Sequence, residues 1–237
     1  MLFLHGSGER GDDGALQTTV GLGPLLRARP EVFPGVVVLP QCPPHAIWAD
    51  EVAELALAAL EEALTEYGGD RRRVYLAGMS MGGFGTWYLA LRAPGMFAAL
   101  VPICGFTSTR LIGTGRPGPG RDLPDVPVPG LEGGESVRHA AVALRVGKVP
   151  VWLFHGADDP LVPVSESRGM AAALRAGGGE VRYTEYAGVE HNSWDRALAE
   201  PELWPWILAA KPLSDPKGQS SERVRASGMR FDAGSKD

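Results

Sequence analysis

Cysteine is scarce in this sequence, which has only Cys42 and Cys104 among its 237 residues. The two thiols lie far apart in the chain and follow different predicted strands, so neither a disulfide framework nor a cysteine metal cluster is expected. We therefore expect two free, partly buried thiols, and we expect neither a metal ion nor another cofactor.

Long apolar runs and clusters of positive charge are also missing from the sequence. No apolar run approaches the roughly 18 residues of a membrane span, and residues 1–4 are too short for the core of a signal peptide. The net charge is −5, with acidic and basic residues interspersed, so no basic face for nucleic acid stands out. We expect a small-molecule substrate, no membrane span and no nucleic-acid partner. The sequence does not determine the oligomeric state.

Strand and helix patterns alternate along residues 1–210. Apolar runs typical of strands covered on both faces occur at residues 1–4, 35–40, 74–77, 97–106 and 149–154, and residues 181–186 are predicted to form the last strand. Helical patterns occur at residues 16–29, 48–67, 81–93, 136–146, 165–176 and 194–210. This alternation predicts one α/β domain over residues 1–210, with a doubly wound, mostly parallel sheet and helices on both faces.

Three features of the chain depart from this pattern. Residues 113–134 are rich in glycine and proline, which predicts a loop, and a lid over the functional site is the alternative. Residues 211–237 are polar and lack periodicity, which predicts a disordered tail. The chain begins on a buried strand, so we expect upstream strands of the natural domain to be missing. As it stands the chain is expected to be cytoplasmic, but a secretion signal could have been lost with those strands.

The motif at residues 78–82, Gly-Met-Ser-Met-Gly, lies between a predicted strand and a predicted helix. This order is that of a nucleophile elbow, a strained turn that exposes a serine and needs residues without a Cβ two positions before and after it. Gly78 and Gly82 satisfy that need, which makes Ser80 the candidate nucleophile. The alternative is a glycine-rich turn of a dinucleotide-binding fold, but the Gly-x-Gly-x-x-Gly spacing is not present.

A serine nucleophile needs a base and an acid that orients the base. In the chain order serine, acid, histidine, the acid follows a later strand and the histidine comes last. Asp159 and His191 meet both conditions. Asp158 is an alternative acid, whereas Glu190 and Asp195 are weaker candidates because they lie beside the histidine in sequence.

The other histidines fit the role of base less well. His5 and His155 each precede a glycine at a strand end, where we expect them to shape the backbone. His139 lies in a predicted helix, and His45 comes before the serine.

Two backbone N–H groups are needed to stabilise the oxyanion that develops during acyl transfer. Met81 would supply one from the start of its helix, and Ser7 would supply the other, with Gly8 as the alternative. Trp48 and Trp194 are candidates for the wall of a substrate pocket, although core packing is the alternative for Trp48.

Five motifs together resemble the α/β-hydrolase superfamily over about residues 2–208. They are His-Gly-Ser-Gly (5–8), Leu-Pro-Gln-Cys-Pro (39–43), Gly-Met-Ser-Met-Gly-Gly-Phe-Gly-Thr-Trp (78–87), Phe-His-Gly-Ala-Asp-Asp-Pro (154–160) and His-Asn-Ser-Trp (191–194). More narrowly, the sequence resembles the phospholipase/carboxylesterase and dienelactone-hydrolase-like group, which includes feruloyl-esterase-like and predicted-peptidase members.

The resemblance implies a catalytic triad of Ser80, Asp159 and His191, with Ser7 and Met81 in the oxyanion hole. The expected function is a serine hydrolase that cleaves small carboxylic esters through an acyl-enzyme. A peptidase or acyltransferase with the same triad is the first alternative, and a catalytically inactive binding module with this fold is the second.

Overall fold

The computed structural model describes residues 1–108 and 134–210. The tail predicted at residues 211–237 lies outside these ranges, as does the predicted loop or lid except for Gly134.

A five-stranded parallel sheet forms the centre of the domain. Its strands are β1 (Leu2–Leu4), β2 (Tyr75–Met79), β3 (Ala99–Ile103), β4 (Val151–Gly156) and β5 (Val181–Tyr186). Their order across the sheet is β1-β2-β3-β4-β5, and each neighbouring pair is parallel. The carboxyl ends of all five strands therefore lie along the same edge of the sheet, where ligands bind in open α/β folds.

Seven α-helices accompany these strands in the described part of the chain. They are α1 (Leu22–Ala28), α2 (Asp50–Glu66), α3 (Met81–Arg92), α4 (Glu135–Val146), α5 (Ser165–Ala176), α6 (Trp194–Leu198) and α7 (Leu203–Ala209). The helix predicted over residues 16–29 is interrupted, because Gly21 adopts a positive φ of 66° between a single 3-10 turn and α1.

The helices cover both faces of the sheet because alternate strand residues point to opposite layers. In β1, Leu2 and Leu4 pack in the layer that contains α2, α3, α4 and α5, whereas Phe3 packs in the layer that contains α1, α6 and α7. Both layers are apolar and buried. The predicted α/β fold with helices on both faces is thus confirmed.

Strand β1 has a neighbour on each side. Residues 36–38 lie along one side of β1, where Val38 donates its N–H to the Met1 carbonyl (2.9 Å) and Phe3 donates its N–H to the Val38 carbonyl (3.0 Å). Strand β2 lies on the other side of β1. The loops that leave β1 and β2 therefore diverge, and in folds of this kind the crevice between such loops is where a ligand binds.

The strand predicted over residues 35–40 is not a regular strand in the structure, so that prediction is wrong. One bridge, between Leu2 and Val38, forms there. Pro34 and Pro40 bound the segment and have no N–H to donate, and β1 offers only three residues for pairing.

In the part of the chain that the structure describes, no helix is both long enough and apolar enough to cross a membrane. Cys42 and Cys104 are free, as predicted, but both are fully buried, whereas partial burial is expected from the sequence.

Candidate active site

Ser80 occupies a sharp turn between β2 and α3. Its backbone has φ 54° and ψ −115°, a conformation that residues with a side chain rarely adopt. Its N–H donates to the Ile103 carbonyl at 2.9 Å, and its own carbonyl accepts from Phe84 at 3.1 Å as the first turn of α3 begins. The turn is therefore fixed by the neighbouring strand and by the helix that follows it.

Glycine is required on both sides of this turn because the backbone packs very tightly. A Cβ at Gly78 would lie 2.2 Å from the Gly82 carbonyl oxygen, and a Cβ at Gly82 would lie 1.9 Å from the Leu4 carbonyl oxygen. Real Cβ atoms essentially never come within 3.0 Å of such atoms. The close approach lets the turn stand directly above β1 and β2, which exposes the Ser80 side chain to the crevice between their loops.

His191 lies in the loop between β5 and α6, and its imidazole lies between Ser80 and Asp159. Its Nε2 is 2.8 Å from Ser80 Oγ, and its Nδ1 is 2.7 Å from Asp159 Oδ2. Since a carboxylate can only accept, Nδ1 carries a proton, which leaves Nε2 of the neutral ring free to accept the serine proton. The His191 side chain is 16% exposed, so the ring borders solvent.

The loops that carry His191 and Asp159 are locked together at Gly156. A Cβ at Gly156 would lie 2.1 Å from the Glu190 carbonyl oxygen, so these backbones touch. Asp158 also donates its N–H to the Val189 carbonyl at 3.0 Å. Residues more than 30 positions apart in the chain are thereby held next to each other at the ends of β4 and β5.

Asp159 is a buried carboxylate with hydrogen-bond partners at both oxygens. Oδ1 accepts the N–H groups of Leu161 and Val162 at 2.8 and 2.9 Å, and Oδ2 accepts from His191. Burial acts to raise the pKa of this carboxyl, but hydrogen bonds from His155 and His191 outweigh it and hold the pKa well below the usual range of aspartate. Asp159 is therefore ionised near neutral pH.

The alternative acids weighed from the sequence occupy other positions. Asp158, Glu190 and Asp195 are exposed. Asp195 accepts from the Asn192 side chain at 2.9 Å. Among the described residues, Asp159 is the carboxylate that the structure places against His191.

Ser7, a predicted oxyanion donor, follows β1 in a loop fixed by His5. His5 Nδ1 lies 2.6 Å from the Gly6 carbonyl oxygen, and its Nε2 accepts the Cys42 N–H at 2.9 Å, so Nδ1 carries the proton. Because the trans peptide is planar, the Ser7 N–H points away from the His5 ring. A Cβ on Gly6 would lie 3.7 Å from the Ser80 Cβ, so this loop borders the serine.

Met81, the other predicted donor, is the first residue of α3. The first backbone bond within this helix runs from Phe84 to Ser80, so the Met81 N–H has no intrahelical acceptor. It also lies at the positive end of the helix dipole, which favours a negative charge.

The two tryptophans differ in their surroundings. Trp194 begins α6 and is half-buried, with its ring edge-to-face with His191 at a centroid distance of 5.6 Å. Trp48 is only 1% exposed, packs against His5, and donates its indole N–H to the His5 carbonyl at 3.0 Å. The structure thus places Trp48 in the core, the alternative to a pocket, where it supports the His5 loop.

Sequence reasoning missed one contact at this site. The sequence predicts that His155 shapes the backbone, whereas in the structure its Nε2 lies 3.2 Å from Asp159 Oδ2. The available signal was its position at the carboxyl end of a strand, four residues before the candidate acid.

Comparison with known proteins agrees with this architecture. The model of the prolyl oligopeptidase family matches residues 47–202, about two thirds of the chain, a range that includes Ser80, Asp159 and His191. The chain belongs to the prolyl oligopeptidase family. This family is one of α/β-hydrolase enzymes, so the predicted resemblance to that superfamily is confirmed. No match was found among curated proteins.

Solved structures show the same fold. A thermostable esterase matches with a TM-score of 0.69 and 32% identity, over 87% of this chain and 53% of that protein. FphF, a fluorophosphonate-binding serine hydrolase of Staphylococcus aureus, matches with a TM-score of 0.63 and 19% identity, over 87% of this chain and 82% of its own. SOBER1 of Arabidopsis thaliana matches with a TM-score of 0.53 and 18% identity, over 87% of this chain and 95% of its own. The chain therefore spans about half the length of the esterase.

Proposed function

We propose that this member of the prolyl oligopeptidase family hydrolyses carboxylic esters of small molecules, with Ser80 as nucleophile. The observation that carries the proposal is the position of His191, which is 2.8 Å from Ser80 Oγ on one side and 2.7 Å from Asp159 on the other. A serine hydroxyl is a weak nucleophile, and a neutral imidazole held in this tautomer is the group that activates it.

The proposed reaction has two halves. Ser80 Oγ attacks the ester carbonyl while His191 Nε2 takes the serine proton, and His191 then gives that proton to the departing alcohol. Water, activated by the same imidazole, attacks the acyl-enzyme and releases the acid. Asp159 stays ionised and stabilises the imidazolium that forms in both halves. These steps need no cofactor.

The N–H groups of Met81 and Ser7 are the proposed donors to the oxyanion. The support is that Met81 opens a helix directly after the serine, and that the Gly6–Ser7 peptide lies beside Ser80 with its carbonyl turned to His5. Loss of one such donor typically costs about a hundredfold to a thousandfold in kcat. Trp194 is the proposed wall of the substrate site next to His191.

Esters are proposed because a protein 32% identical to this chain is an esterase. The family name favours a second candidate, hydrolysis of peptide or acyl-amino bonds by the same residues. The narrower likeness to dienelactone hydrolases stays an expectation. Rates on a p-nitrophenyl acyl ester and on an aminoacyl p-nitroanilide separate the two candidates, and a higher kcat/KM on the anilide would replace the ester proposal.

The test of the proposal is covalent labelling with a fluorophosphonate, which requires no knowledge of the natural substrate. We expect one adduct by intact mass, mapped to Ser80, and no adduct on Ser80→Ala. Ser136→Ala, at an exposed serine of α4, is the matched control and should be labelled like the wild type.

A folded protein that takes up no label would overturn the serine hydrolase proposal and favour the inactive binding module. Hydrolysis of an ester panel that persists in Ser80→Ala would also overturn it, because the activity would then come from another group.

A further inference from the structure

His155 is a buried histidine that lies against the acid of the proposed triad. It is the fifth residue of β4, and its side chain has no exposure to solvent. Its Nε2 lies 3.2 Å from Asp159 Oδ2, the same oxygen that accepts from His191 Nδ1 at 2.7 Å. Nitrogens of two imidazole rings therefore lie within 3.2 Å of one carboxylate oxygen.

The other contacts of the His155 ring fix both its orientation and one of its protons. Nε2 also lies 3.1 Å from the Val162 carbonyl oxygen, and Nδ1 lies 2.7 Å from Ser167 Oγ. Because the carbonyl and the carboxylate can only accept, Nε2 must carry a proton. The Ser167 hydroxyl can rotate to suit Nδ1, so the ring is held by α5 on one side and by the residue 159–162 turn on the other.

We propose that His155 is a positioning residue, whose one Nε2–H is shared between the Val162 carbonyl oxygen at 3.1 Å and Asp159 Oδ2 at 3.2 Å and so holds the carboxylate facing His191. This proposal rests on the proposed function. Among the described residues, four donors lie next to the carboxylate: Leu161 and Val162 on Oδ1, and His155 and His191 on Oδ2. Of the two imidazoles at Oδ2, His155 is the one with no exposure to solvent. If His155 is removed, the Asp159 carboxylate loses one of its two contacts at Oδ2 and can rotate out of line with His191.

The polarity of this position supports a role beyond filling space. His155 follows the buried apolar residues Leu153 and Phe154 in β4. An unpaired polar group there would be costly, so an imidazole is favoured only where its nitrogens find partners. Asp159, Val162 and Ser167 are those partners, and a phenyl ring would fill the space without them.

The test compares His155→Phe with His155→Gln, whose amide can still donate a hydrogen bond to the carboxylate. We expect His155→Phe to lower kcat by about tenfold to a hundredfold with KM changed less than about threefold. The substitution would misplace the Asp159 carboxylate and with it His191, whereas position 155 does not contact the substrate. His155→Gln should retain at least about a third of the wild-type kcat. Val151→Ala, at a buried residue of the same strand, controls for a general loss of stability.

A double-mutant cycle with Asp159→Asn separates positioning from general damage. If His155 acts through Asp159, His155→Phe should lower kcat little further in the Asp159→Asn background. Equal losses in both backgrounds would overturn the proposal, as would a wild-type kcat in His155→Phe.

Nitrogen-15 labelled histidine gives a readout that does not depend on a folded His155 variant. The Nε2–H resonance of His155 should appear in the wild type and move upfield in Asp159→Asn, since a charged acceptor is replaced by a neutral one. An unchanged resonance would overturn the proposal. Ser80-dependent labelling of the wild type is measured first, so that failure of the proposed function is recognised independently of the His155 result.

Discussion

Gly82 and Leu4 are in such close contact that a Cβ at position 82 would lie 1.9 Å from the Leu4 carbonyl oxygen. The contact joins the first turn of α3 to the end of β1. It therefore sets the distance between Ser80 and the loop that carries Ser7, two parts of the proposed site that are far apart in sequence.

Gly82→Ala is expected to push α3 away from β1, because the new Cβ and the Leu4 carbonyl oxygen are both fixed by the main chain and cannot rotate aside. We expect destabilisation of about 1–3 kcal/mol, as for other overpacked sites, and a loss of kcat of about a hundredfold. Urea unfolding and ester hydrolysis measure the two effects. Gly177→Ala is the control, since a Cβ there meets only ordinary contacts of 3.4 Å or more. A wild-type kcat in Gly82→Ala would show that activity does not depend on the distance between Ser80 and the loop that carries Ser7.

The two adjacent aspartates, Asp158 and Asp159, should differ sharply on substitution. Asp159→Asn removes the acceptor that fixes the His191 tautomer, and in a comparable triad such a change lowers kcat by about ten-thousandfold. Asp158 is exposed and contributes its backbone N–H to Val189, which asparagine retains, so Asp158→Asn should stay within about threefold of the wild type. Steady-state kinetics of the two variants measures this difference in kcat. A larger loss of kcat in Asp158→Asn than in Asp159→Asn would assign the acid role to Asp158.

Several parts of this molecule are predictable because a local rule fixes them. Gly78 and Gly82 flank Ser80 because a side chain at either would strike backbone, and that requirement is visible in the motif. Helix α5 ends where predicted, at a run of glycines that begins with Gly177, and β5 has the predicted bounds, residues 181–186. The sequence pattern around each of these features is therefore enough to predict it, even where, as at Gly82, the atom that a side chain would strike lies in a distant strand.

Other parts depend on contacts between distant segments and cannot be predicted locally. The apolar run at residues 35–40 has the composition of a strand, but pairing requires a partner, and β1 provides only three residues. The contact of His155 with Asp159 depends on how β4 packs against Ser167 of α5. The packing of β4 against α5 cannot be predicted from the periodicity of the sequence.

The two cysteine thiols are expected to be unreactive in the folded protein. Burial raises the pKa of both Cys42 and Cys104 to about 12, so the thiolate that reacts with disulfide reagents is scarce at pH 8. Titration with Ellman's reagent should detect close to no thiols in the native protein and both of them in guanidinium chloride. Rapid reaction of the native protein would show that one of these thiols is accessible.

His5 is expected to stay neutral to unusually low pH. Burial lowers its pKa to about 4, compared with about 6.5 for an exposed histidine. Since the unfolded chain binds a proton below pH 6.5 and the folded protein does not, the His5 contribution to stability is fully present above pH 6.5. It is lost as the pH falls from 6.5 to 4 and amounts to about 3 kcal/mol.

Protonation of His5 is also expected to affect the proposed site. The new proton on His5 Nε2 would point at the Cys42 N–H, which now donates to that nitrogen, and the loss of this hydrogen bond would release the loop that carries Ser7. The imidazole Cε1–H resonance of His5 should therefore stay constant from pH 8 to pH 5 and move only near pH 4. In urea unfolding, the stability advantage of the wild type over His5→Gln should shrink across the same interval. A His5 midpoint near pH 6.5 would contradict both expectations and would mean that the ring is reached by water in the folded state.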